Sequence, residues 1–260
     1  MASSPEAPVL LKARGPIALA GVGLVLAFCV WVVSPDLPRL WSGLPRLARW
    51  LATSVPPDFS GPYDLAMRAS ETFSIATLGT TAAAVLAMPM VLFAARPVAP
   101  VPWLYHPVRG ALDTLRGIDA MVFALIFVAA VGLGPFAGMI GVGLHSAGTI
   151  AKLWSEALET ADLTPIEAAM SAGATRAKAA VFILLPATLP QTASALLYVW
   201  EFNIRASTVL GVVGAGGLGQ DLKTAIDLLD FNRVLAVLII IVAMVVAVDR
   251  LSARLRRALI

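Results

Sequence analysis

Long apolar runs alternate with short polar, proline-rich connectors along this chain. The runs fall at 16–33, 73–95, 118–134, 136–153, 188–210 and 234–248. A helix needs about 20 mostly apolar residues to cross a bilayer. The pattern therefore predicts an all-α membrane protein with about six transmembrane helices. The third and fourth runs are separated only by "GLGPFAG", where Gly134 and Pro135 predict a tight turn. Lys12 and Arg14 precede the first run, as they would in a signal peptide. "SPDLPRL" follows it instead of a small-x-small cleavage site, so it is expected to stay as a span.

Composition sharpens this picture. Charged residues make up 13% of the chain, against about 25% in soluble domains, and 59% of it is hydrophobic. The net charge of +3 is small, and the basic residues sit mostly between runs, which suits membrane orientation and not nucleic-acid binding. Cys29 is the single cysteine, so a disulfide framework or a cysteine metal site is excluded. His106 and His145 alone are too few for a metal cluster, and no metal is expected.

With the N-terminus in the cytoplasm, twelve Lys and Arg fall inside and six outside, with Arg205 within a span. The excess predicts both termini inside. Residues 1–69 then form an N-terminal span plus an external interfacial segment, and 70–250 form the main transmembrane domain. Residues 161–186 form a cytoplasmic loop and 251–260 a basic cytoplasmic tail. In the external segment, "LPRLWSGLPRLARWL" interleaves Arg39, Arg46 and Arg49 with Trp41, Trp50 and leucines. Such a stretch fits either the headgroup plane or a solvated connector.

The cytoplasmic loop contains "EAAMSAGATRAKAAVFILLP", residues 167–186, rich in the best helix former. Gly173 interrupts it and Pro186 closes it, which predicts two short helices joined by a turn. Helices this short are marginal in water and need a packing surface. That surface is either the chain's own loops or a partner's groove.

Glu167-Ala168-Ala169, three residues, Gly173, nine residues, Ile183, one residue and Leu185-Pro186 resembles the EAA signature of ABC importer permeases. Residues 116–159 and 198–219 resemble the phosphonate-transport branch of that family, and the likeness covers roughly 70–250. Asp119, in "RGID", stands where a proline is expected shortly after the arginine, which bears only on a local helix start.

The resemblance implies a type I ABC importer permease fold in a multi-pass protein of the bacterial inner membrane. It implies a second permease copy, cytoplasmic ATP-binding subunits and an extracytoplasmic phosphonate-binding protein or lipoprotein. The ATPase-coupling residues would be Glu167, Ala168, Ala169, Gly173, Arg176, Ile183, Leu185 and Pro186. Glu167 would be the charged contact, and Gly173 would allow the turn. No G-x-x-x-x-G-K-[ST] occurs, so ATP and magnesium belong to the partner and this chain binds no cofactor.

Within the fifth run, "WEFNIRAS" places Glu201, Asn203 and Arg205 at membrane depth, where each charge costs about 2.5–3.5 kcal/mol. Glu201 and Arg205 share a helix face and can pair, and Asn203 projects from the other side. Either the pair fixes helix packing, or Arg205 lines the passage for a tetrahedral oxyanion such as phosphonate or phosphate. His145, with Thr149 on the same face and Ser146 beside it, is either bonded internally or part of that passage.

"GVVGAGGLG" spells a dinucleotide fingerprint at Gly214, Gly216 and Gly219, but it follows a span and lacks the strand that motif requires. Close helix packing accounts for these glycines, and their amides are a further candidate contact for an anion or the binding protein. A secondary transporter would show repeated halves, and a membrane enzyme would cluster His, Asp or Glu within its spans; neither signature is present. A permease for another solute, such as methionine, is the nearest alternative reading.

Overall fold

The computed structural model describes residues 9–99 and 101–259, with side chains at 9–18, 102, 176, 177 and 259 left aside. Its elements are α1 (Val9–Val33), α2 (Leu37–Thr53), α3 (Pro62–Ala94), α4 (Tyr105–Gly117), α5 (Ala120–Val131) and α6 (Pro135–Thr160). Then come α7 (Thr164–Ser171), α8 (Arg176–Ala179), α9 (Leu185–Leu210), α10 (Gly217–Asp227) and α11 (Phe231–Leu259). No strand occurs among the described residues. The chain divides into two compact units, Met1–Ala52 and Thr53–Ile260. In the first, α1 and α2 meet at a bend of 57°.

Every predicted run is helical, yet three helices of the described residues are long and apolar enough to span alone: α3, Ala180–Val213 and α11. The bent pairs α1–α2 and α4–α5 would raise that number to five. The remaining predicted run lies in α6, which is not among these helices. Instead α6 is the centre of the second unit, packed by α3, α4, α5 and α9. Its glycines set that closeness. A Cβ on Gly141 would lie 2.7 Å from the Ala124 backbone nitrogen, and one on Gly148 would lie 2.9 Å from the Leu112 carbonyl.

Local signals are read out cleanly at several helix ends. Gly134 and Pro135 make the expected turn into α6. Asp119 caps α5, its Oδ1 accepting from the Met121 amide at 2.8 Å. An aspartate thus supplies here the helix start that a proline would otherwise favour. α11 runs on to Leu259, so the basic residues expected in a separate tail form its last turns.

The loop at 161–186 departs from expectation in one respect. α7 ends at Gly173, whose φ of +94° suits glycine. The Gly173 amide donates to the Met170 carbonyl and the Ala174 amide to the Ala169 carbonyl, both at 3.0 Å, closing a Schellman motif. The second helix, however, is not closed by Pro186. From α8 the chain continues through a π turn, Ala180–Leu184, directly into α9, with Pro186 as the second residue of α9. A proline ring would strike the carbonyl four residues back in a regular α-helix; the wider turn displaces that carbonyl.

Asp162 opens this hinge. The Thr164 hydroxyl and amide donate to it and hold its carboxyl below the ordinary range. A depressed folded pKa contributes stability above the unfolded value, and that stability is lost as pH falls through it. Hydrogen exchange in the first turn of α7 should therefore be steady from pH 8 to 6 and accelerate, beyond the intrinsic pH trend, below about pH 4. An excess opening already complete at neutral pH would disprove this role for Asp162.

Candidate functional site

Two features draw together the residues singled out above: the hinge, and a polar interior around α9. In the hinge, Ile166 (8% exposed), Ala179 (2%) and Leu184 (1%) are buried in an apolar cluster with Val91, Leu112, Ile150 and Leu158. Ala169 and Ile183 pack partly against the same cluster. Glu167, Ala168, Gly173, Leu185 and Pro186 are exposed. The side chain of Arg176 lies outside the described residues. The hinge is thus fixed to the bundle by one side and presents Glu167 on the other. The sequence signature missed Leu184 and Ile166, the two side chains that do the fixing. Their apolar character next to the signature positions was the available signal.

A clasp lies just before the hinge. Arg109 on α4 donates from Nη2 to Glu159 Oε2 at 2.8 Å and from Nε to the Ala94 carbonyl at 3.2 Å. Its guanidinium also sits over the Tyr105 ring at 5.2 Å, beside that of Arg96 at 4.8 Å. The ends of α3 and α6 are so tied to α4, one turn from where α7 begins.

In the interior, Asn203 is fully buried and donates to Thr80 Oγ1 and Ser146 Oγ, each at 2.8 Å. Ser146 Oγ in turn lies 3.1 Å from Asn203 Oδ1. This knot joins α3, α6 and α9. These bonds tie the three helices together at Asn203 and Ser146. Next to it, Trp200 Nε1 donates to Thr77 Oγ1 at 3.1 Å and the indole meets Phe73 edge-on. Replacing Asn203 with leucine, similar in size, should lower thermal stability in detergent by about 1–2 kcal/mol, the upper range for interhelical bonds in membranes. An unchanged melting temperature would show that the knot contributes nothing.

Glu201 does not pair with Arg205. Its carboxylate, nearly buried, accepts from Arg256 of α11. The two share a helix face, but Arg256 reaches Glu201 from the neighbouring helix, and spacing along one helix cannot reveal that. Arg205 is exposed and has no ion pair among the described residues. His145 Nδ1 lies 2.8 Å from the Ile118 carbonyl, which assigns its proton to that nitrogen. The ring is half-buried and lines a cleft of about 140 Å³ with Ser146, Thr149, Tyr198, Val199 and Phe202. Along α9, Tyr198, Phe202 and Arg205 follow at steps of four and three, so Arg205 extends the same face one turn beyond the cleft.

The glycine-rich stretch leads into α10. The Gly217 amide donates to Glu71 Oε2 at 3.0 Å and the Leu218 amide to Thr72 Oγ1 at 2.8 Å. Two amides of this stretch are therefore occupied by the protein's own carboxylate and hydroxyl, and the Gly214 amide donates to the Gly211 carbonyl at 3.0 Å. No group of three or more His, Cys, Asp or Glu close enough for a metal occurs among the described residues.

Comparison with known proteins places the chain in a family. Residues 79–260 match the family described as "Binding-protein-dependent transport system inner membrane component". HtxC of Stutzerimonas stutzeri, whose name assigns it to a phosphite transport system, is 43% identical over 89% of this chain and 82% of its own. The phosphite transport system permease PtxC of the same organism is 40% identical over 90% and 86%. The fold matches the MetNI methionine ABC transporter in an inward-facing conformation, with a TM-score of 0.67, 25% identity, and coverage of 77% of this chain and 99% of that one. The chain belongs to the inner-membrane permease family of binding-protein-dependent ABC transport systems.

Proposed function

We propose that this chain forms the translocation pathway of an ATP-driven importer for a phosphorus oxyanion: phosphonate, phosphite or phosphate. The observation that carries the cargo class is Arg205, an exposed guanidinium within a spanning helix, aligned with the His145–Tyr198–Phe202 cleft and without an ion pair among the described residues. An arginine at that depth needs an anionic partner, and a tetrahedral oxyanion matches its donors. The names of the phosphite-transport relatives support the same class, as does the phosphate-import permease PhnE of Mycolicibacterium smegmatis, 38% identical over 79% of this chain and 39% of its own.

Two copies of the chain assemble, each docking the exposed Glu167 side of its hinge into a cytoplasmic ATP-binding subunit. That partner holds ATP and magnesium, and an extracytoplasmic binding protein delivers the cargo. Both termini face the cytoplasm. Closure of the ATPase pair moves α7, and the Arg109–Glu159 clasp passes the motion to α3, α4 and α6.

The test is ATP hydrolysis by the reconstituted complex with its binding protein. Phosphonate, phosphite or phosphate should stimulate it, and methionine should not. Arg205→Gln alone is the informative variant, because changing Glu201 as well would orphan Arg256. Uptake should fall about tenfold, the loss of roughly 1.4 kcal/mol of anion stabilisation, with assembly intact. Undiminished uptake by that variant would remove Arg205 from the pathway, and stimulation by methionine alone would replace the cargo class.

A further inference from the structure

We propose that α2 is an interfacial helix that docks on the membrane surface through the phosphodiester headgroups of anionic phospholipids. Its sequence, "LPRLWSGLPRLARWLAT", segregates sharply when wound at 100° per residue. Leu37, Leu40, Trp41, Leu44, Leu47 and Leu51 occupy one arc, and Arg39, Ser42, Arg46 and Arg49 occupy the opposite one. None of its residues is buried among the described residues, and Leu40 and Trp41 are 63% and 77% exposed. An apolar arc of this width would be costly left bare in water, so it calls for a cover.

Chain continuity says what that is. α1 is uninterruptedly apolar from Ile17 to Val33, so its end marks the edge of the hydrocarbon layer. Only Ser34, Pro35 and Asp36 separate it from α2. Three residues reach at most about 10 Å, comparable to one headgroup layer of roughly 5–8 Å. The 57° bend turns α2 away from the direction of α1. Asp36 starts the new helix, its Oδ1 accepting from the Arg39 amide at 2.9 Å. The helix therefore begins inside the interface, where its leucines reach the acyl boundary and Trp41 sits at headgroup level.

Charge selects the lipid. α2 holds three arginines and no acid. Asp36 offsets Arg39 at 3.1 Å, which leaves the helix with net positive charge beside the surface. Arginine forks match phosphodiester oxygens, and each basic residue near an anionic surface raises affinity about fivefold. A second copy of α2 is the poorer occupant. In lipid, two apolar arcs gain no hydrophobic drive from meeting, and such pairing would bring like-charged rims together.

The full-length permease in nanodiscs tests this. Spin labels at Leu44→Cys or Arg46→Cys are placed on a Cys29→Ser background, with phosphatidylcholine alone or mixed with phosphatidylglycerol. The label at 44 should be accessible to oxygen, and the label at 46 to a water-soluble relaxant. Native mass spectrometry should find phosphatidylglycerol retained at least tenfold over phosphatidylcholine. Arg39→Gln/Arg46→Gln/Arg49→Gln should abolish that preference, and excess inorganic phosphate should leave it unchanged. Four results would overturn the proposal. They are a water-exposed label at 44, a close label–label distance between two copies, an undiminished preference for phosphatidylglycerol in the triple variant, and displacement of lipid by free phosphate. Because Gln keeps helix propensity, a variant that misfolds is recognised by lost helicity, and Arg39→Lys/Arg46→Lys/Arg49→Lys then carries the test by retaining charge without the fork.

Discussion

Replacing Gly219 with alanine is expected to abolish accumulation of folded permease. A Cβ at that position would overlap the Thr208 carbonyl oxygen and lie 2.9 Å from the Gly211 Cα. Both obstacles are backbone, so no rotamer change relieves them. Overpacking a core usually costs about 1–3 kcal/mol, and with rigid obstacles this substitution belongs above that range. The result would be read as membrane yield and thermal unfolding in detergent. Gly110→Ala is the internal control: nothing lies within 4 Å of its would-be Cβ. In mid-helix it should stabilise α4 by about 0.5–1 kcal/mol. Normal yield from the Gly219 variant would mean that α9 and α10 are not held as closely as described.

Glu201→Ala is expected to be the next most damaging change. It leaves Arg256 without its carboxylate. Breaking a buried pair costs about 3–5 kcal/mol, but the Arg256 side chain is 31% exposed, and screening reduces the expected loss to about 2 kcal/mol. Glu201→Leu combined with Arg256→Leu should recover most of it, because the orphaned charge is gone. A double-mutant cycle on melting temperature decides the matter. Strictly additive losses would show that the two residues do not interact, and would return Glu201 to the pairing with Arg205 that the sequence allows.

That pairing illustrates where sequence reading stopped. The spacing of Glu201 and Arg205 was correct for one face of α9, yet the carboxylate chose α11. Asn203 and Ser146 looked like pathway residues because polar groups at membrane depth are costly. Thr80, 123 residues before Asn203, joins them in a hydrogen-bonded knot that spacing along one helix does not reveal. His145 is anchored at the Ile118 carbonyl and borders a cleft. In the hinge, Gly173 was legible because a left-handed turn leaves few residue choices. The continuation past Pro186 was not, because the π turn that admits it depends on Leu184 being gripped by the core.

The sequence by itself determined the all-helical class, the helix start at Pro135, the turn at Gly173, and the membership announced by residues 167–186. Each rests on local terms: hydrophobic periodicity, capping and backbone sterics, which act within a few residues. Only the tertiary structure decided which polar groups stay exposed and which hold helices together. Those choices are made by partners brought close from distant helices, where a carboxylate or amide in a low-dielectric interior takes whichever donor the packing delivers.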